Sequence, residues 1–105
     1  MKRFTSENFR TEVLDADLPV LVEFSAAWCG PCKIMSSVLE TLSDEYHGRI
    51  LMGMLDIADG GDIAMQYGIM NVPTILIFKK GAVVKKLTGL QKQNALKKYL
   101  EEILL

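Results

Sequence analysis

The run Leu18-Pro19-Val20-Leu21-Val22-Glu23-Phe24-Ser25-Ala26 constrains this chain more than any other segment. It is rich in strand-forming residues and apolar on both faces apart from Glu23. Such a strand belongs in the middle of a sheet covered on both sides, since either bare face would present apolar side chains to water. The chain has 105 residues, 50% of them apolar and 24% charged. That balance suits one soluble domain spanning residues 1–105 with a core of its own. It excludes a disordered chain, a collagen-like repeat and a disulfide-dense secreted scaffold.

The remaining elements follow from periodicity and punctuation. Ser6 is the expected N-cap of a helix carrying Phe9, Val13 and Leu14. Cys32, Met35, Val38, Leu39, Leu42 and Tyr46 keep helical period, which predicts a helix from about Pro31 to His47 with Gly48 as its stop. A buried strand is expected over Ile50 to Ile57, then a short helix from near Asp62 to Tyr67 ended by Gly68. Thr74 to Phe78 and Val83 to Thr88 read as two strands of a hairpin across Lys79-Lys80-Gly81-Ala82. Leu96, Tyr99, Leu100, Ile103 and Leu104 mark a closing amphipathic helix. With a first strand ahead of the Ser6 helix, the order is βαβαβαββα, an α/β fold with a mixed sheet.

Twelve Lys and Arg against thirteen Asp and Glu give a net charge of −1, which argues against a general affinity for nucleic acid. The distribution is uneven: Lys79 to Lys98 holds seven lysines and no acid. It reads as a solvated face guarding a sheet edge, with electrostatic steering toward an acidic partner as the alternative. No apolar run approaches the ~18–20 residues that span a membrane. The polar start from Met1 to Glu7 lacks the apolar stretch of a signal peptide. The expectation is a cytoplasmic protein, in which thiols stay reduced unless they do redox work.

Cys29 and Cys32 are the only cysteines, and they sit in Trp28-Cys29-Gly30-Pro31-Cys32-Lys33, where the central strand gives way to a helix. Sites form at the carboxyl ends of strands in open α/β sheets. A sulfur at the exposed helix start faces unpaired N–H groups and the positive end of the dipole, which favours its thiolate. Pro31 suits the first turn, and Gly30 lets another backbone approach the sulfur. Cys32, three residues on, lies over Cys29 within disulfide reach. A bridge so short is a poor staple but a good reversible switch, with Cys29 attacking a substrate disulfide and Cys32 resolving the mixed disulfide. Two other readings compete. Cys-x-x-Cys is half a zinc site, but no third Cys exists and the single His47 lies at the far end of the helix, so no metal is expected. The cysteines could also be inert and buried.

Glu23 shares a strand face with Leu21 and Ser25, opposite Val20, Val22 and Phe24. In a sheet covered on both sides its carboxyl is desolvated, so its pKa rises and it suits accepting the Cys32 proton. Alternatively the longer Glu side chain reaches the sheet end and is simply solvated.

The hexapeptide Trp28-Cys29-Gly30-Pro31-Cys32-Lys33, with Val72-Pro73-Thr74 and Gly89 downstream, resembles the thioredoxin family over essentially the whole chain. The Gly-Pro dipeptide is similar to thioredoxins rather than to the glutaredoxin or disulfide-isomerase branches. The resemblance implies a thioredoxin fold, a five-stranded mixed sheet with two helices on each side. It implies that Pro73 is cis and packs against the disulfide, with Val72 and Gly89 completing a shallow groove beside Trp28, Gly30 and Pro31. It implies a monomeric thiol–disulfide oxidoreductase and electron carrier without a cofactor, recharged by a thioredoxin reductase and acting on oxidised target proteins.

Four positions depart from the family pattern: Glu23 where Asp is usual, Ser25 where a second Trp is common, Met54 in place of a Lys, and Ser37 in place of a helix-kinking Pro. The long helix is therefore expected to be straighter. Two other functions stay open at this point: a binding module or accessory subunit whose cysteines are dispensable, and a disulfide-forming oxidase or isomerase.

Overall fold

The computed structural model describes residues Met1–Leu105. In chain order the elements are β1 (Lys2–Phe4), α1 (Arg10–Leu14), β2 (Val20–Ser25), α2 (Gly30–Glu45), β3 (Leu51–Asp56), α3 (Gly61–Gln66), β4 (Thr74–Lys79), β5 (Ala82–Thr88) and α4 (Gln93–Leu104). The sheet order is β1-β3-β2-β4-β5. β1 and β2 run parallel to β3, while β4 is antiparallel to both β2 and β5. The doubly apolar run thus forms the middle strand, with all six residues of β2 buried.

Alternation along β2 builds two separate cores. Val20, Val22 and Phe24 pack with Phe9 just before α1, Val13 of α1, Ala64 of α3, and Leu55, Leu76 and Phe78. Leu21 packs on the other face with Met35, Leu39 and Leu42 of α2 and Leu96 and Leu100 of α4. Two helices therefore cover each face. Tyr46, just past α2, ties that helix to α4 by donating its hydroxyl to Glu101 at 2.5 Å. Burial and the neighbouring carboxylate push its phenol up to about 12.

The N-terminal segment differs from expectation. Thr5 and Asn8 cap each other reciprocally: the Thr5 N–H donates to Asn8 Oδ1 at 2.8 Å, and the Asn8 N–H to Thr5 Oγ1 at 3.3 Å. Ser6 points instead to Asp62 and to the Asp59 carbonyl at the entry to α3. Its hydroxyl is one residue too late to cap this turn. α1 itself is wound with five-residue spacing, the Asp15 N–H reaching the Arg10 carbonyl at 2.9 Å.

β1 lies so close to β3 that Gly53 has no room for a side chain. A Cβ there would run into the Phe4 ring and come within 2.9 Å of the Lys2 carbonyl oxygen. The β4–β5 hairpin turns through Lys80 and Gly81, both at positive φ, +53° and +80°. That is the twist a two-residue connection needs to match its strands. α2 runs unbroken through Ser37, and it ends at Glu45, two residues before the expected last residue, His47. No helix is long and apolar enough to cross a membrane.

Candidate active site

β2 ends at Ser25, and the chain turns through Ala26 so that Cys29 becomes the N-cap of α2, with Pro31 in the first turn. The Cys29 backbone is extended, and its Sγ accepts the Cys32 N–H at 3.1 Å. One orphan donor of the helix start is thereby satisfied by sulfur rather than oxygen. Cys29 and Cys32 form a disulfide with their Cα atoms 5.3 Å apart.

Cys29 is less accessible than its place at a helix start suggests. It is 4% exposed and Cys32 1%. The loop before β4 folds over the pair, bringing the Val72 carbonyl oxygen to 3.7 Å from Cys29 Sγ. Ile57 and Val72 pack against the small cluster of Ala26, Cys29 and Cys32. The Val72–Pro73 peptide bond is cis, as the resemblance implies. Pro73 is buried, and its carbonyl accepts the Gly89 N–H at 2.8 Å.

Beside the disulfide lies an apolar groove. Trp28 forms one wall, 77% exposed, and Val72 belongs to the same lining. Gly30 and Pro31 stay exposed at the start of α2, and nothing approaches the Gly30 Cα within Cβ range. Gly89 stands behind Pro73 rather than on the groove lining. Met65 and Met70, 82% and 88% exposed, line the groove as well and are absent from the sequence reading. In sequence a methionine near a helix reads as core, and only the fold shows these two facing water.

Glu23 is fully buried, so the solvated alternative does not hold. Its Oε1 accepts a hydrogen bond from the Ser36 hydroxyl at 2.6 Å, and its Oε2 is buried with no partner. Its register neighbours are Met54 in β3 and Ile75 in β4, and it takes part in no salt bridge. Burial raises its pKa from 4.5 to about 7, with the Ser36 hydrogen bond opposing part of the rise. The sequence signal for Ser36 is its spacing: it follows Cys32 by four residues, on the same side of α2. His47 is exposed beyond the opposite end of that helix.

The family model described as Thioredoxin matches residues 1–102. The chain belongs to the thioredoxin family. Among its relatives, the "Thioredoxin" of Chlorobaculum thiosulfatiphilum is 44% identical over 98 residues, covering 93% of this chain and 91% of that protein. "Thioredoxin C-2" of Corynebacterium nephridii is 43% identical over the same shares. "Thioredoxin, mitochondrial" of Mus musculus is 38% identical over 92% of this chain and 58% of its own. Like other thioredoxins, the protein is a dithiol–disulfide oxidoreductase that reduces disulfides in target proteins through its Cys29–Cys32 pair. Thioredoxin-family membership implies a thioredoxin reductase as the source of electrons and disulfide-bearing proteins as targets.

Proposed function

We propose that Cys29 is the attacking thiol, Cys32 the resolving one, and Glu23 the acid–base partner of Cys32. The Cys29 thiolate attacks one sulfur of a target disulfide. A Cys29–target bond forms, the target's own S–S bond breaks, and one target thiolate departs. Cys32 then gives its proton to Glu23 and attacks Cys29 Sγ. The Cys29–Cys32 bond forms, the mixed disulfide breaks, and the second target thiolate leaves. Two electrons have moved from the pair to the target.

The observation that carries this division of labour is the Cys32 N–H donating to Cys29 Sγ at 3.1 Å at the start of α2. That hydrogen bond and the helix dipole favour negative charge on Cys29. Cys32 has no comparable donor and lies one turn further in. Trp28, Gly30, Pro31, Val72, Pro73 and Gly89 are proposed to seat the target segment. A groove of apolar lining beside the disulfide favours extended, apolar stretches of the target.

The reading extends to residues 1–105 as one domain, supported by a single sheet with a core on each face. It takes the chain as a cytoplasmic monomer without nucleic-acid or membrane partners, working where a reductase keeps the pair reduced. Reduction of a model protein disulfide by dithiothreitol is expected to accelerate with the wild type and not with Cys29→Ser. Equal acceleration by Cys29→Ser would overturn the proposal.

A further inference from the structure

Ser36 follows Cys32 by one turn of α2, and its hydroxyl is the sole polar partner of the buried Glu23 carboxyl, at 2.6 Å. The two carboxyl oxygens are therefore unlike. Oε1 is satisfied, whereas Oε2 is buried and bare. A bare oxygen is costly while it shares a negative charge and far less so once protonated. No cation pairs with it: Glu23 is in no salt bridge, and Met54 and Ile75 occupy the neighbouring strand positions.

We infer that Ser36 is a positioning residue for Glu23: its hydroxyl holds Oε1 and leaves Oε2 as the oxygen that takes the Cys32 proton. The inference rests on the proposed role of Glu23. As Cys32 attacks, its S–H bond breaks and the proton passes to Oε2. The electron pair left on sulfur makes the bond to Cys29. Ser36 is half-buried and lines a surface cleft with Arg3, Ser25, Lys33, Met54 and Asp56, so the side chain that holds Glu23 also borders water. The charged groups facing this region are Arg3 from β1, Lys33 from α2 and Asp56 from β3. The Met1 ammonium and Glu40 lie in the adjoining cleft, 3.3 Å apart. Replacing Ser36 leaves all of them in place.

A chromogenic aromatic disulfide mixed rapidly with the reduced protein releases one thiolate on attack and a second on resolution. The second phase is followed from pH 5 to 9 for wild type, Ser36→Ala, Ser36→Thr, Glu23→Gln and the Glu23→Gln/Ser36→Ala double variant. Losing a hydrogen bond to the charged form raises the pKa, so Ser36→Ala is expected to move the midpoint up by about one unit. From a midpoint of about 7 this lowers the ionised fraction at pH 7 about fivefold, and the rate with it. The loss disappears toward pH 9. Ser36→Thr keeps the hydroxyl and the wild-type midpoint, and Ser36→Ala adds nothing once Glu23 is Gln.

A slow Glu23→Gln together with an unshifted midpoint in Ser36→Ala would overturn the role of Ser36 alone. So would Ser36→Thr behaving like Ser36→Ala, which assigns the effect to packing. Wild-type resolution by Glu23→Gln would overturn the Glu23 reading and this inference with it.

Discussion

Glu23 is the residue at which burial and chemistry meet. With its carboxyl pKa raised from 4.5 to about 7, the folded protein holds a proton there that the unfolded chain has released. Between those values the native state binds more protons than the unfolded state, so stability falls as pH rises and levels off above about 7. The difference of about 2.5 units corresponds to about 3 kcal/mol. Glu23→Gln is expected to abolish that slope in urea unfolding of the oxidised protein between pH 5 and pH 8. A slope of unchanged size in the variant would assign the pH dependence to other groups. Glu23 was legible as an odd polar residue in an apolar strand, and its burial follows from the strand's place in the sheet. Ser36 was less so: its spacing of four from Cys32 puts it on the active-site side of α2, but nothing local announces the carboxylate it meets where that helix packs on the sheet.

At the scale of elements, long apolar patterns were readable and short or irregular pieces were not. β2, α2 and α4 each bury a periodic face, so period and length together identify them. β1 is three residues long with only Phe4 buried, too few for any period to register. What holds it is pairing with β3 at Lys2–Gly53 and Phe4–Leu55, a long-range fact that no local pattern announces. α1 is similar: Phe9 and Val13 suggest a helix, but the Thr5–Asn8 cap and the five-residue spacing leave no periodic signature. The active-site groove joins the end of β2, α3 and the loop before β4, so Met65 and Met70 become neighbours of Trp28 only after folding. The close approach of β1 makes its own prediction. Gly53→Ala would press a methyl into Phe4 and the Lys2 carbonyl, and is expected to cost about 2 kcal/mol or more in urea unfolding. A loss below about 0.5 kcal/mol would mean that β1 yields freely and contributes little to the sheet.

For the molecule as a whole, charge and redox chemistry are kept on different surfaces. The lysine-rich stretch from Lys79 to Lys98 falls on the β4–β5 hairpin and α4, and β5 is an edge strand of the sheet. Lys97 pairs with Glu45 at 3.1 Å, Lys79 reaches the Ile103 carbonyl, and the Lys85 ammonium sits 4.2 Å from the centre of the Tyr99 ring. Neutralising Lys85 and Lys86 to Gln is expected to leave reduction of a small disulfide unchanged. It should cost roughly 0.5–1 kcal/mol of stability through the lost contact with Tyr99. A large drop in the small-disulfide rate would tie this face to the chemistry after all. The central claim, that Cys29 attacks and Cys32 resolves, is tested most directly by trapping. Cys32→Ser, mixed with an oxidised target protein, is expected to accumulate a mixed disulfide through Cys29 that is seen by non-reducing electrophoresis and mass mapping. Cys29→Ser should accumulate none. A trapped adduct through Cys32, with none through Cys29, would contradict the assignment.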